Sequence, residues 1–522
     1  VAMPYRQDLD SIRAIAIFSV FLFHLKFDAF QGGFIGVDVF FVLSGFLMTT
    51  ILEDAHGPKI EIIKDFYMRR IRRIVPVSML VLLVTTVVVC VLFDPLQIKS
   101  FLPHLIGAAS FVSNVTFWWE NSYFSDDLFR PNLHYWSLGV EIQYYLVFPF
   151  LALFLKWKKV CYVLIFVLAE LAAYWMTSLS AKTAFFLLPF RMGEFMVGSF
   201  VYYALQHPFF CQTPKRTLNQ SLKLNDLWII GGLAAIITSA LMFDRNTPFP
   251  HLYAMVPALG AAALILFGGR TSPITFIYDN ALFRHIGKIS FSLYLWHFPV
   301  IFIASRYFGL EMNWQNAIIV VIITLILSEL SYAYIENPFR RKSVISHQTL
   351  IRSGIAATAL TAMIVGAVIL TNGFSHNYPK NAQAIYASME DRDSYRCGKL
   401  KRLTEPFTKI CTLHAAPNAL TKLLLWGDSH ADALKFVFQQ QAQKERFSFY
   451  LNKANCTAGD MQGACGDSAG ILNDIVDMGI NAVVLHSSIS GYNPAVQDNL
   501  KRIINQLVAR KIAVHVIYPM PV

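Results

Sequence analysis

Apolar runs long enough to cross a bilayer recur along this chain as far as Leu370, and none of that length follows. A helical span needs roughly 20 mainly apolar residues. About eleven such runs are legible: Ser11–Phe27, Phe34–Leu52, Ile74–Phe93, Ser137–Leu155, Val160–Met176, Phe185–Leu205, Leu227–Phe243, Leu252–Phe267, Ile289–Ser305, Ala317–Tyr334 and Ser353–Leu370. Hydrocarbon offers backbone polar groups no water, so each run is expected to close its own hydrogen bonds as a helix. With 55% hydrophobic and only 15% charged residues, the expected fold class is an α-helical polytopic membrane protein with a soluble region behind it.

Alternate short loops are basic, as loops on the cytoplasmic side are. Lys64 with Arg69, Arg70, Arg72 and Arg73 follows the second run, Lys156, Lys158 and Lys159 the fourth, Lys215, Arg216 and Lys223 the sixth, Arg270, Arg284 and Lys288 the eighth, and Arg340, Arg341 and Lys342 the tenth. The N-terminus is therefore expected inside and the C-terminal region outside. Phe101–Trp119 carries His104, Ser110, Ser113 and Asn114 and would invert this parity as a span, so it is expected to be interfacial or re-entrant. The first run lacks a small-residue cleavage site and is expected to stay as an anchor. The formal net charge of +11 follows from the basic loops, and no nucleic-acid partner is expected.

Ionisable groups inside spans are costly unless paired or functional. His24 and Asp38 fall just inside the outer ends of the first two runs and Glu141 near the outer end of the fourth, so all three lie at one depth. A carboxylate beside His24 would hold its tautomer and raise its basicity, as a general base requires. Arg13 lies on the same run as His24. Arg69, Arg70, Arg72 and Arg73 crowd into five positions, which suits bidentate phosphate recognition as well as membrane orientation. Arg191 and Glu194 are three apart and are expected to pair on one helix face. His297, beside Trp296, suits either packing or the lining of a pathway.

These residues fall in runs that together resemble the acyltransferase-3 family of membrane acyltransferases. The runs are Arg13 and His24 separated by ten residues, GVDVFFVLSGF from Gly36, the RRIRR cluster, HYWSLGVEIQYY from His134 with Trp136 inside it, and ISFSLYLWHFP from Ile289, in that order over roughly the first 340 residues. The resemblance implies transfer of an acetyl group from acetyl-CoA to a surface carbohydrate, such as a lipopolysaccharide O-antigen or core sugar, or its lipid-linked precursor. It implies a bacterial inner membrane location and no metal. His24 would be the essential imidazole and Arg13 its partner on the same span; Asp38 and Glu141 join it as catalytic candidates on the depth argument alone. Either Arg70 with Arg73 or Arg69 with Arg72 would form the RxxR pair. Trp136, Arg191, Glu194 and His297 would join the donor- and substrate-binding residues.

The boundaries expected are 1–340 for the acyltransferase bundle, 341–371 for an extra span, 372–420 for a linker and 421–522 for an outer α/β domain. Strands at Leu423–Trp426, Phe447–Leu451, Ala482–His486 and Ala513–Tyr518 alternate with helical runs, the pattern of a parallel sheet. Between the first strand and helix lies GDSH, which places Ser429 like an activated nucleophile. In this context it resembles the SGNH hydrolase and transesterase family, often fused to acyltransferase-3 domains, with Ser429 as nucleophile. That family's DxxH block does not follow Ser429, so the domain is expected to be incomplete. Cys397, Cys411, Cys456 and Cys465 follow the last span and admit three pairings in an oxidising compartment; the sequence-local one joins 397 to 411 and 456 to 465. A membrane transporter with an outer glycan-binding domain is the main rival reading, a non-catalytic sensor the second; oligomeric state leaves no trace in the sequence.

Overall fold

The computed structural model describes residues 5–120, 129–155, 157–207, 224–268, 274–390, 397, 408–453, 458–459, 468–487 and 494–517. The chain divides into two compact units, Val1–Tyr386 and Ala387–Val522.

The first unit is helical. Short turns aside, it contains α1 (Asp8–His24), α2 (Gly36–Glu53), α3 (Lys59–Leu92), α4 (Pro95–Ala109), α5 (Ser113–Trp119), α6 (Tyr135–Phe154), α7 (Lys158–Phe186), α8 (Met192–Leu205), α9 (Leu224–Met242), α10 (His251–Phe267), α11 (Ala281–Arg306), α12 (Trp314–Ser331) and α13 (His347–Leu370). Ten of the eleven apolar runs read from the sequence fall mainly on one helix each, whereas Phe185–Leu205 is broken: α7 ends at Phe186, a 3-10 turn covers Leu188–Phe190, and α8 supplies only the 14 residues from Met192. Eight helices among the described residues are long and apolar enough to cross a membrane, which makes this a membrane protein. The segment 101–119 is broken in two: α4 ends at Ala109, Phe111 takes a φ of +57°, and α5 begins at Ser113.

The RRIRR cluster is not loop. It lies within the 34-residue helix α3, where residues three apart share a face and neighbours do not, so the four arginines are dealt to different surroundings. Helix α1 packs against α11 at very short range: a Cβ on Gly287 would stand 1.8 Å from the Asp10 carbonyl oxygen. Only glycine permits that approach, the small-residue contact through which membrane helices bring their backbones together. Side chains further along the two helices are thereby brought within reach of each other.

The second unit is an α/β sheet of five strands, β1 (Ile410–His414), β2 (Lys422–Gly427), β3 (Ser448–Asn452), β4 (Ala482–His486) and β5 (Ala513–Ile517), in the order β1-β3-β2-β4-β5. The pairs β2/β3, β2/β4 and β4/β5 are parallel, with Leu424 opposite Tyr450 on one side and Val483 on the other. The edge strand β1, absent from the sequence reading, runs antiparallel to β3. Buried Leu424, Trp426, Val483 and Leu485 anchor one layer of the core, and Leu425, Phe449, Leu451 and Val484 the other. Cys397 and Cys411 form a disulfide. Cys456 and Cys465 lie outside the described residues.

Candidate active site

His24 is the last residue of α1. Its Nδ1 lies 3.2 Å from Nε2 of His297, a fully buried residue of α11. The other nitrogen of His297, Nδ1, faces the Tyr294 carbonyl one turn back. A third imidazole, His134, lies with its ring centre 5.6 Å from that of His297 and stacks on Phe298. The Tyr294 hydroxyl donates to the His134 carbonyl at 2.9 Å and also pairs with Ser137 Oγ.

The carboxylates expected beside His24 are engaged elsewhere. Asp38 forms an ion pair with Arg191, and Arg191 Nε lies 3.3 Å from Glu194. All three are essentially sealed from solvent, and the guanidinium is ringed by Phe41, Phe185 and Phe249 at 5.2–5.8 Å. The expected pairing of Arg191 with Glu194 is present. Asp38 is its second acid and not a partner of the imidazole, because an arginine brought into an apolar interior needs opposite charge close by. Glu141 accepts hydrogen bonds from Ser44 and Tyr145. Trp136, expected among the binding residues, is buried against Phe185 and Phe186 and lines neither cavity described next.

Arg13 is likewise not a neighbour of His24. Eleven residues at about 1.5 Å each separate them by about 16 Å along α1, and Arg13 Nη1 instead holds Asp10 at 2.7 Å. Arg13 opens onto a cavity of about 380 Å³ that is also lined by Arg73, Lys288, Arg340 and Arg341, with Tyr5, Asp10, Ser290, Phe291, Tyr332 and Asn337. Five cations from separate parts of the chain line this cavity with Asp10, and buried Glu336 stands 3.5 Å from Arg340 beside it. A π-helical stretch, Tyr332–Glu336, leads into the arginines on one wall, a distortion of the kind often found at functional sites. Lys288, Arg340 and Arg341 were legible only as orientation charge. Their convergence depends on the packing of α3, α11 and the end of α12 around α1.

A second, narrower cavity shares Arg13, Arg73, Ser290 and Phe291 with the first. It continues past Arg70, Glu141 and Tyr145 between apolar walls that include Val37, Phe40, Leu47 and Ile74, and it reaches Ser137 and Tyr294. Tyr294 thus has its side chain on the cavity and its carbonyl on His297. The arginine cluster divides accordingly: Arg70 and Arg73 face the cavities, Arg72 turns away to donate to the Phe339 and Ile345 carbonyls at 3.1 and 2.7 Å, and half-exposed Arg69 lies 3.6 Å from Asp65. Outside the spans, Arg284 and the Ser11 hydroxyl both donate to Asp279 and hold its carboxyl below the ordinary range, against the effect of partial burial. That junction ties the start of α1 to the entrance of α11.

In the second unit, β2 ends at Gly427, Asp428 caps the following helix by accepting from the His430 amide at 2.9 Å, and exposed Ser429 is that helix's first residue. A Cβ on Gly427 would lie 1.6 Å from the His486 carbonyl oxygen, so the turn requires glycine. Buried Asn452 clamps the same residue, accepting from the Gly427 amide at 3.1 Å and donating to its carbonyl at 3.3 Å. His486 Nδ1 donates to the Ile517 carbonyl at 2.9 Å, and its ring centre lies 6.0 Å from that of His430.

Comparison with known proteins agrees with this division. Residues 6–332 match the acyltransferase-3 family profile, described as an acyltransferase domain, and residues 396–522 match the SGNH domain that is fused to such domains. Peptidoglycan O-acetyltransferase OatA of Listeria monocytogenes serovar 1/2a is 33% identical over 360 residues, covering 66% of this chain and 57% of its own. The Bacillus subtilis (strain 168) protein YrhL, provisionally named a peptidoglycan O-acetyltransferase, is 34% identical over 64% of this chain and 55% of its own. The Staphylococcus aureus (strain MRSA252) protein SAR0937, provisionally named an O-acetyltransferase, is 28% identical over 77% and 69%. This chain thus spans little more than half the length of the Listeria and Bacillus relatives. No solved structure matches it. With the family profile covering most of the helical unit and the fused domain following it, the chain belongs to the acyltransferase-3 family and carries an SGNH domain behind its membrane bundle.

Proposed function

We propose that this protein is an O-acetyltransferase that moves acetyl from acetyl-CoA to a hydroxyl of a cell-envelope polysaccharide. The observation that carries the reading is the convergence of Arg13, Arg73, Lys288, Arg340 and Arg341 on one cavity that joins a narrower, mostly apolar one. Guanidinium groups suit the phosphates of the donor, and the narrower cavity suits its thioester arm. The arm enters from the cytoplasmic end of the bundle and points toward Tyr294, behind which stand His297 and His24. His24 takes the proton of the acceptor hydroxyl as its oxygen bonds to the acetyl carbonyl carbon. The carbon–sulfur bond breaks, and the departing thiolate receives that proton. General-base assistance of this kind contributes about 10²–10⁴-fold.

Two routes lead to the glycan. The acceptor hydroxyl attacks the thioester directly at His24, or Ser429 in the periplasmic domain receives the acetyl group and passes it on. A Ser429→Ala variant of the complete protein separates them, since unchanged glycan acetylation excludes an obligatory relay. The name of the Listeria relative favours peptidoglycan as acceptor, whereas the resemblance in the motifs suggested lipopolysaccharide sugars. The test is the O-acetyl content of both polymers in cells lacking the endogenous protein and supplied with the complete wild-type or His24→Ala chain at matched membrane levels. Acetylation lost only with the variant supports the reading, the polymer that changes names the acceptor, and equal acetylation overturns the role of His24.

A further inference from the structure

Resting on the reading of acetyl-CoA as donor, we infer that Lys288, Arg340 and Arg341 form a subsite for the 3′-phosphate of coenzyme A, so that the protein selects the complete coenzyme over its 3′-dephospho form. The two cavities share Arg13 and Arg73, whereas Lys288, Arg340 and Arg341 line only the wider one. Exposure follows the same order. The side chain of Arg13 is 16% exposed and Arg73 is half-buried, while Arg340, at 43%, stands with exposed Lys288 and Arg341 at the mouth. These three come from two elements, α11 about two turns from its start and the chain just after the π-helical stretch. Arg340 is steadied there by Glu336, which also accepts from the Ser292 hydroxyl at 2.7 Å.

Coenzyme A carries its charges in a matching order. The slender pantetheine arm ends at a pyrophosphate, and beyond the pyrophosphate a ribose bears the 3′-phosphate. With the arm in the narrower cavity, the cations at the junction, Arg13 and Arg73, meet the pyrophosphate, and the next phosphate outward meets the three at the mouth. That phosphate is a monoester with a charge of about −1.5 to −2 at neutral pH, the densest negative charge on the molecule. Two guanidinium forks and an ammonium suit its oxygens. Exposed cations on the cytoplasmic side are by themselves ordinary orientation charge; these three differ in lining the same cavity as Arg13 and Arg73 from separate elements. The arm of an acyl carrier protein ends in one phosphodiester and would leave all three unmet.

The test uses the full-length protein in native inside-out membrane vesicles, with acetyl transfer measured against the concentration of acetyl-CoA and of acetyl-3′-dephospho-CoA. Wild type is expected to show a KM about 10- to 100-fold higher for the dephospho donor, the loss of one or two charge-assisted hydrogen bonds. Lys288→Gln combined with Arg341→Gln changes two exposed side chains. It should raise the KM for acetyl-CoA about tenfold while that for the dephospho donor moves by less than about twofold. Arg73→Gln should raise both alike, because both donors carry the pyrophosphate. Equal KM values for the two donors in wild type, or a double variant that raises both alike, would overturn the subsite. Should the double variant fail to accumulate, competition against acetyl-CoA in wild type decides the matter: stronger inhibition by adenosine 3′,5′-bisphosphate than by adenosine 5′-phosphate upholds it, and equal inhibition sinks it. Acetyl transfer from neither thioester removes the donor reading itself, whereas transfer from both with equal KM removes only the 3′-phosphate subsite.

Discussion

His297 Nε2 and His24 Nδ1 lie 3.2 Å apart although 273 positions separate them in the chain. The contact joins the last residue of α1 to the middle of α11, two helices already locked together where Gly287 meets Asp10. A displacement of either helix of the order of 1 Å would break it, so the glycine contact and the imidazole contact form one mechanical unit.

Replacing His24 by Ala is expected to lower acetyl transfer by about 10²–10⁴-fold, the range for a general base. Membrane abundance should stay near wild type, because α1 remains packed on α11 where Gly287 meets Asp10 although the ring's contacts with His297 and Phe298 are lost. Radiolabelled acetyl transfer, normalised to protein amount, checks this.

The arginines of α3 should separate by function. Arg73→Gln removes a cation shared by both cavities and is expected to raise the KM for acetyl-CoA at least about tenfold, the loss of roughly one charge-assisted hydrogen bond. Arg72→Gln leaves donor KM unchanged. It cuts the tie to the Phe339 and Ile345 carbonyls and should cost about 1.5–3 kcal/mol of stability, read as a lower unfolding temperature. The opposite pattern would assign donor binding to the other pair.

The Asp38–Arg191–Glu194 cluster is expected to behave as a structural unit. Arg191→Met leaves two sealed acids without their cation and should destabilise the bundle by about 3–5 kcal/mol. Adding Asp38→Asn removes one orphaned charge, and the double variant should be more stable than the single one. Thermal unfolding in detergent compares them; strict additivity would contradict direct pairing.

In the second unit, Gly427→Ala forces a methyl group against the His486 carbonyl oxygen and is expected to cost about 1–3 kcal/mol, as overpacking does. Hydrogen exchange of the full protein should quicken in peptides from β2 and β4, while Ser429→Ala leaves it unchanged. Unaltered exchange in Gly427→Ala would mean that the turn relaxes freely.

The helices of the bundle were legible because each is written locally, as an apolar run whose backbone must satisfy itself. Ser429 at the start of its helix was legible for a similar reason: strand, tight turn and helix follow one another within a few residues. The surroundings of His24 were not. Counting depth along each span suggests one level for His24, Asp38 and Glu141, but Glu141 meets Ser44, six residues or about 9 Å further along α2 than Asp38, and sequence does not say who stands beside whom. Asp38 stands beside Arg191 and Glu141 beside Tyr145, leaving the imidazole of His297 for His24.

The sequence by itself determined that this is a membrane protein with an α/β unit behind its helices, that histidine and arginine lie within or beside its spans, and that these residues stand in the order of the acyltransferase-3 family. Tertiary structure alone decided which of four clustered arginines face a cavity, that Lys288, Arg340 and Arg341 join them, and that the neighbour of His24 is another imidazole. The physical reason is range. Hydrophobicity and turn chemistry act over a few residues and leave their mark in the local pattern, whereas a hydrogen bond between two rings needs ångström placement that arises only once the helices have packed.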